Sequence, residues 1–186
     1  MSRFVISSTP IAGVKVVERT QISDHRGGLS RIFCARELAG VGWDKSVMQI
    51  NHAHTRKQGA IRGMHFQHPP HAEMKLVSCL RGSVWDVAVD LRAGSATFMH
   101  WFAQELSVGN RLAMLIPEGV AHGFQALEND CEILYLHSSC YQPEAEDGIN
   151  PFDPGLAISW PAAVTDISDK DRLRAYMDPS FSGIIL

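Results

Sequence analysis

Lys75-Leu76-Val77-Ser78-Cys79-Leu80-Arg81-Gly82-Ser83-Val84-Trp85-Asp86-Val87-Ala88-Val89-Asp90-Leu91 is the stretch on which the fold turns. Two runs rich in β-branched and apolar residues, Lys75–Leu80 and Val84–Leu91, flank the turn signal Arg81-Gly82. Outward from this pair, similar runs recur at Val14–Glu18, Val47–Asn51, Thr97–Leu106, Leu112–Ile116 and Cys131–His137. The punctuation between them falls at Arg92–Ser95, Ser107–Asn110, Glu118–Gly119 and Glu128–Asp130. Strands spaced in this way, with no long helical pattern between them, predict an all-β fold, an antiparallel sandwich or barrel. Only the tail from Ser168 to Tyr176 reads as a helix. With no fixed-period repeat, low-complexity tract or long linker, residues 1–186 are expected to form a single domain.

Side chains alternate between the two faces of a strand. In Val84–Leu91 this puts Trp85, Val87, Val89 and Leu91 on one face and Asp86 on the other, away from the bulk. In Cys131–His137 it puts Cys131, Ile133, Tyr135 and His137 on one face, so Tyr135 is either a phenol facing the lumen or a core tyrosine with a satisfied hydroxyl.

Of the 186 residues 45 % are apolar and 20 % charged, enough to bury a sizeable core and too apolar for a disordered tail. Seventeen basic against twenty acidic residues give a formal charge of −3. That balance argues against non-specific affinity for nucleic acid or anionic membranes, so an anionic ligand needs a local basic site. The four cysteines, Cys34, Cys79, Cys131 and Cys140, form no C-x-x-C pair and are expected to be reduced thiols. Met1 to Gly13 lacks the basic-then-apolar layout of a signal peptide, and no stretch approaches the roughly 18 apolar residues of a membrane span. A cytoplasmic protein is the expectation.

The densest polar cluster is Gly59–Lys75, containing Arg62-Gly63-Met64-His65-Phe66-Gln67 and His71-Ala72-Glu73-Met74-Lys75, followed later by Pro117-Glu118-Gly119-Val120-Ala121-His122. The Pro-x-Gly-x-x-His spacing of the latter resembles the second motif of cupin barrels, in which that histidine joins a metal site. The first cupin motif is broken here, because Gln67 stands where a second histidine follows the first, and an amide is a poor ligand beside imidazoles. His65, His71, Glu73 and His122 remain a rival metal set, open to assembly in space.

Over nearly the whole chain, from Asp24-His25-Arg26-Gly27 to Ser168-Asp169-Lys170-Asp171, the sequence resembles the dTDP-4-dehydrorhamnose 3,5-epimerases. The motifs carrying the resemblance are Ile61-Arg62-Gly63-Met64-His65-Phe66-Gln67, Asp86-Val87-Ala88-Val89-Asp90-Leu91-Arg92, Gly94-Ser95-Ala96-Thr97-Phe98, Ile116-Pro117-Glu118-Gly119 and Ala121-His122-Gly123-Phe124. The resemblance implies a cupin-type jelly-roll β-barrel, a homodimer that shares strands, no metal and no cofactor, and a nucleotide-sugar substrate.

Removing a hydrogen from carbon beside a ketone requires a base and a group that stabilises the enolate oxygen. By resemblance, His65 is that base, oriented by Asp171; imidazole titrates close enough to neutrality to serve. Lys75 matches a lysine beside the C4 ketone, and Tyr135 a tyrosine that returns a proton from the far side. Arg26 and Arg62 match residues that contact the nucleotide, where an arginine fork suits diphosphate oxygens. Gln49 and Asn51 match residues lining the base pocket, and Tyr141 an aromatic that stacks on the base. The resemblance also implies that His122 belongs with the substrate-binding set and pairs with Asp86 inside the barrel, either as a second dyad or as a buried structural pair.

Read residue by residue, the same positions have plainer roles. His65 is a structural histidine, Asp171 completes Ser168-x-x-Asp as a capping box, and Lys75 is a strand lysine whose head reaches water. Only their joint occurrence favours chemistry. Three departures from the resemblance limit it. Arg31 stands where a glutamate that holds the base is expected, and Met74 and Leu136 replace a glycine and a lysine, changes expected to trim the sugar pocket and restrict reaction to one carbon. The alternatives are therefore a mono-epimerase on another nucleotide-linked 4-keto sugar, a metal-dependent cupin enzyme, and a binding barrel without turnover.

Overall fold

A computed structural model describes residues 2–186. In chain order the strands are β1 (Phe4–Ser8), β2 (Lys15–Arg19), β3 (Gln21–Asp24), β4 (Gly27–Ser30), β5 (Gln49–Thr55), β6 (Ala60–Gln67), β7 (Lys75–Arg81), β8 (Ser83–Asp90), β9 (Trp101–Ser107), β10 (Leu112–Ile116), β11 (Val120–Ala126), β12 (Cys131–His137), β13 (Glu146–Gly148) and β14 (Asp166–Ile167). Two short helices complete the chain, α1 (Ala35–Ala39) and α2 (Asp169–Arg172).

One sheet has the order β1-β2-β10-β7-β12-β5 and the other β13-β6-β11-β8-β9, with β14 added to β6. The two sheets face each other as an open jelly roll without closing into a hydrogen-bonded ring. The turn expected at Arg81-Gly82 links them, since β7 lies in the first sheet and β8 in the second. Gly82 takes φ +77°, a conformation a residue with a Cβ rarely adopts.

Alternation divides each strand between two environments. Val77, Cys79, Val84, Ala88, Met114, Phe124 and Ile133 pack between the sheets. Leu76, Leu115, Met74 and Leu136 pack outward against Leu38 and Trp43, and Val87, Val89 and Leu91 pack outward on the other side against Leu156 and Ile184. On β7 and β12 the inward face is apolar at one end, with Cys79 and Val77 or Cys131 and Ile133, and polar at the other, with Lys75 or Tyr135 and His137. One end of the interior is thereby core and the other is available for a ligand.

Several expectations are adjusted. The run Thr97–Leu106 becomes a strand only from Trp101, because Thr97 and Ser95 turn back to bond the buried Asp90. The polar stretch around Arg62 is itself strand β6, and β1, β3, β4, β11, β13, β14 and α1 were not anticipated. The C-terminal helix stops at Arg172, well short of Tyr176, because Asn150 Nδ2 donates to the carbonyls of Arg172 (3.3 Å) and Arg174 (2.7 Å) and ties the following chain to the body. All four cysteines are free, and among the described residues no helix is long and apolar enough to cross a membrane.

Candidate active site

A cavity of about 1230 Å³ opens at the polar end, between β5, β7 and β12 on one side and β6, β11 and α2 on the other. Nine of the ten residues expected at the site line it: His65, Asp171, Lys75, Tyr135, Gln49, Asn51, Arg62, His122 and Tyr141. The tenth, Arg26, lies elsewhere.

Simple alternation would place Arg62 and His65, three residues apart, on opposite faces of β6. The register with β11 pairs His65 with His122 but Arg62 with Phe124, so three steps on β6 oppose two on β11. This β-bulge turns Arg62 to the cavity side along with His65. Gly63 makes the bulge feasible: its φ is +125°, and a Cβ there would meet Gly123 Cα at 2.5 Å.

Strand β14 runs parallel to β6, with Ile167 opposite Ile61, and so delivers α2 to the middle of β6. Ser168 caps the helix by accepting from the Asp171 amide (3.1 Å), which satisfies the cap half of the capping-box reading. The Asp171 carboxylate does something else. Its Oδ1 lies 2.6 Å from His65 Nε2, and its Oδ2 accepts from the Gly63 amide at 3.4 Å. Burial disfavours the charged form of Asp171, but the His65 hydrogen bond and charge outweigh it and the pKa falls below the usual carboxylate value. His65 keeps a third of its side chain exposed to the cavity, whereas Asp171 is almost wholly buried.

Lys75 does not reach bulk water, contrary to its plainer reading; its side chain is 7 % exposed. Nζ lies 2.9 Å from Glu73 Oε1 and donates to the His65 carbonyl at 3.0 Å. Two of three ammonium hydrogens are thus fixed by the protein. The Tyr135 ring stands edge-on to His122 with centroids 5.9 Å apart and stacks on His137 at the same separation. Burial first, and then the Asp86 carboxylate, push the phenol far above the ordinary tyrosine value, so it is protonated at neutral pH. His137 is pushed down to about 4 by burial, with Lys75 and His122 adding to the effect, and is therefore neutral there.

The expected pair inside the barrel is present: His122 Nε2 lies 2.7 Å from Asp86 Oδ1, both side chains buried. Burial raises the Asp86 pKa, while His122 and Lys75 oppose the shift.

Toward the mouth, Arg62 Nε donates to Thr55 Oγ1 (3.0 Å) and Nη2 to the His54 carbonyl (3.1 Å). These bonds leave its Nη1 hydrogens unused. Gln49 Nε2 donates to Asn51 Oδ1 (3.1 Å) while its Oε1 accepts from the Tyr141 amide (2.9 Å). The Tyr141 hydroxyl donates to Glu146 (2.8 Å), and Lys170 pairs with the same carboxylate. Arg26 sits at the tip of the exposed β3–β4 hairpin, paired with Asp24 at 2.6 Å and outside the cavity of its own chain. Arg31 is paired with Glu37 of α1.

Two expectations fail. Met74 and Leu136 do not trim the pocket, because alternation sends both outward into the core beneath Trp43. The rival metal set is not assembled: His65 and His122 are each committed to a carboxylate, Glu73 to Lys75, and His71 is not at the cavity wall. Among the described residues no group of three His, Cys, Asp or Glu side chains is gathered to hold an ion. Glu73, weighed only as a metal ligand, and His137, placed only on the face of Tyr135, were not expected in a ligand cavity; the i, i+2 spacing of each from Lys75 and Tyr135 was the signal that could have put them there.

The family described as dTDP-4-dehydrorhamnose 3,5-epimerase matches residues 8–178. A relative of that name from Streptomyces griseus is 38 % identical over 87 % of this chain and 81 % of its own. A dTDP-4-dehydrorhamnose 3-epimerase from Streptomyces niveus is 37 % identical over 87 % of this chain and 78 % of its own. The crystal structure of a dTDP-6-deoxy-D-glucose-3,5-epimerase from Legionella pneumophila, in complex with dTDP-4-keto-L-rhamnose, superposes with a TM-score of 0.90 at 34 % identity, covering 97 % of this chain and 98 % of the other. Sequence and fold agree along almost the whole length, and this chain belongs to the dTDP-4-dehydrorhamnose 3,5-epimerase family.

Proposed function

We propose that the chain is a cofactor-independent isomerase that inverts C3 and C5 of a dTDP-linked 4-keto-6-deoxy hexose through an enolate. The observation that carries this reading is the 2.6 Å contact between His65 and the buried Asp171 at the wall of a cavity that also holds Lys75 and Tyr135. His65 takes the hydrogen from carbon next to the ketone as a proton, and the bonding pair moves onto the ketone oxygen. Asp171 fixes the imidazole tautomer and stabilises the imidazolium that results. The third hydrogen of the Lys75 ammonium serves the developing oxyanion. Tyr135, held protonated, returns a proton from the opposite face; before the second carbon reacts, the His65 imidazolium gives its proton to solvent and the Tyr135 phenolate takes one back.

The diphosphate belongs with Arg62 and the base with Gln49, Asn51 and Tyr141, which together form the mouth of the same cavity. Among the described residues the β3–β4 hairpin pairs only within itself, and it is exposed from Gln21 to Leu29, with Leu29 73 % and Ile22 48 % exposed. Such a ribbon gains stability by covering another surface. In a homodimer that shares strands it reaches the second copy and carries Arg26 to that copy's nucleotide.

Incubation with dTDP-4-keto-6-deoxyglucose in heavy water tests the reading. Deuterium at both C3 and C5 is the expected result. Label at C3 alone would establish the second reading, a one-carbon epimerase, which the 3-epimerase relative favours. Binding without any label would establish a barrel that has no turnover.

A further inference from the structure

The carboxylate of Glu73 borders the cavity, yet only half of it is accounted for. Oε1 lies 2.9 Å from Lys75 Nζ, whereas Oε2 is buried and has no hydrogen-bond partner among the described residues. The side chain is 6 % exposed, and no described residue supplies the missing partner. A buried polar atom without a partner is an exception that calls for an explanation, and a charged acceptor is the costliest kind to leave unpaired. Neutralising Lys75 needs only Oε1. The free oxygen is left for whatever enters the cavity.

The local chain explains why Glu73 stands there. Glu73 and Lys75, two residues apart, share the inward face, while Met74 between them is anchored outward. The segment is pinned to the end of β12, with the Met74 amide donating to Ser138 Oγ at 2.8 Å and the Ser138 amide to the Met74 carbonyl at 3.1 Å. Both charged heads are thus held side by side and presented together.

A donor beside an acceptor is complementary to an α-hydroxyketone, in which a carbonyl oxygen stands beside a hydroxyl. We propose that Glu73 is a substrate-binding residue: its Oε2 accepts a hydrogen bond from the hydroxyl on C3 while Lys75 donates to the C4 ketone oxygen. This rests on the proposed function, and it adds a residue that selects sugars bearing a hydroxyl next to the ketone. Sites built to bond a hydroxyl discriminate against analogues that lack it.

The test compares dTDP-4-keto-6-deoxyglucose with its 3-deoxy analogue, both titrated calorimetrically in a His65→Ala background in which the sugar is not turned over. Loss of the hydroxyl is expected to weaken binding roughly 10–100-fold when Glu73 is present. Glu73→Gln, which preserves size and one bond to Lys75, is expected to bring that ratio below about fivefold, since the charged acceptor is gone. Glu73→Ala is expected to abolish the ratio, and Glu73→Gln decides the matter if the alanine variant does not fold. An equal ratio with and without Glu73, or no penalty in its presence, overturns the proposal. Exchange of the C3 and C5 hydrogens by the wild-type enzyme in heavy water is followed separately; its absence at both carbons would overturn the epimerase reading, which the binding ratio does not touch.

Discussion

Nε2 of His65 and Oδ1 of Asp171 are 2.6 Å apart although 106 residues of chain separate them. The contact joins the middle of β6 to a helix of a single turn, and the parallel pairing of β14 with β6 is what brings the two into reach. The imidazole and the carboxylate are thus brought together by the sheet rather than by local sequence.

His65→Ala is expected to lower the rate of hydrogen exchange by about 10²–10⁴-fold at every carbon, the range a general base contributes. Asp171→Asn keeps the shape but removes the charge that stabilises the imidazolium. It should lower kcat by at least about 10²-fold with little change in KM. A rise in KM with kcat intact would mean that Asp171 acts on binding instead.

Tyr135→Phe separates the two faces of the reaction. The base and the enolate site are untouched, so deuterium wash-in should persist while net inversion falls steeply. NMR of the product sugar distinguishes retained from inverted centres. Equal and complete loss of both would remove Tyr135 from its role as the far-side acid.

Arg62→Lys should weaken binding of dTDP about 10-fold or more while leaving kcat nearly unchanged. A lysine replaces a planar fork by a point charge and cannot keep the bonds to Thr55 and His54 while also contacting a diphosphate. Titration with dTDP alone checks this.

Asp90 predicts an acid limb in the stability profile. It is fully buried and accepts from Arg92 Nε (2.8 Å) and Nη2 (2.7 Å), Ser95 (2.6 Å) and Thr97 (2.7 Å). Against the cost of burial these bonds hold its pKa well below the usual carboxylate value. The folded-state pKa is thus depressed, so the stabilisation is fully present above the unfolded value of about 3.9 and is lost as pH falls below it. Thermal melts should show a midpoint that drops from about pH 4 downward, less steeply in Asp90→Asn. At neutral pH that variant should lose about 3–5 kcal/mol, because the Arg92 charge is left without its partner.

Much of the fold was legible because alternation is local. Val84–Leu91 and Cys131–His137 sorted their side chains between two faces from spacing alone, separating Asp86 from Val87 and Val89 and grouping Tyr135 with Ile133 and His137. The same rule, applied to Met74 and Leu136, would have sent them outward with Leu76, and its neglect led to the wrong expectation about the pocket. Strand β6 went unread because its polar residues looked like a loop cluster. The bulge at Gly63 was also out of reach, since an extra residue is defined only against the partner strand β11.

The sequence by itself determined the composition of the site, an imidazole, a lysine, a phenol and an arginine, and alternation put Tyr135 on one face with Ile133 and His137, while Lys75 read on its own as a lysine whose head reaches water. The pairings of Asp171 with His65 and of Asp86 with His122 were expected from the resemblance alone; only the tertiary structure brought those partners together, paired Glu73 with Lys75 and left Arg26 outside the cavity of its own chain. The physical reason is range. Side-chain direction follows from a repeat of two residues, whereas a hydrogen bond between strands or across 106 residues depends on register, on a bulge and on one parallel pairing that no local pattern encodes.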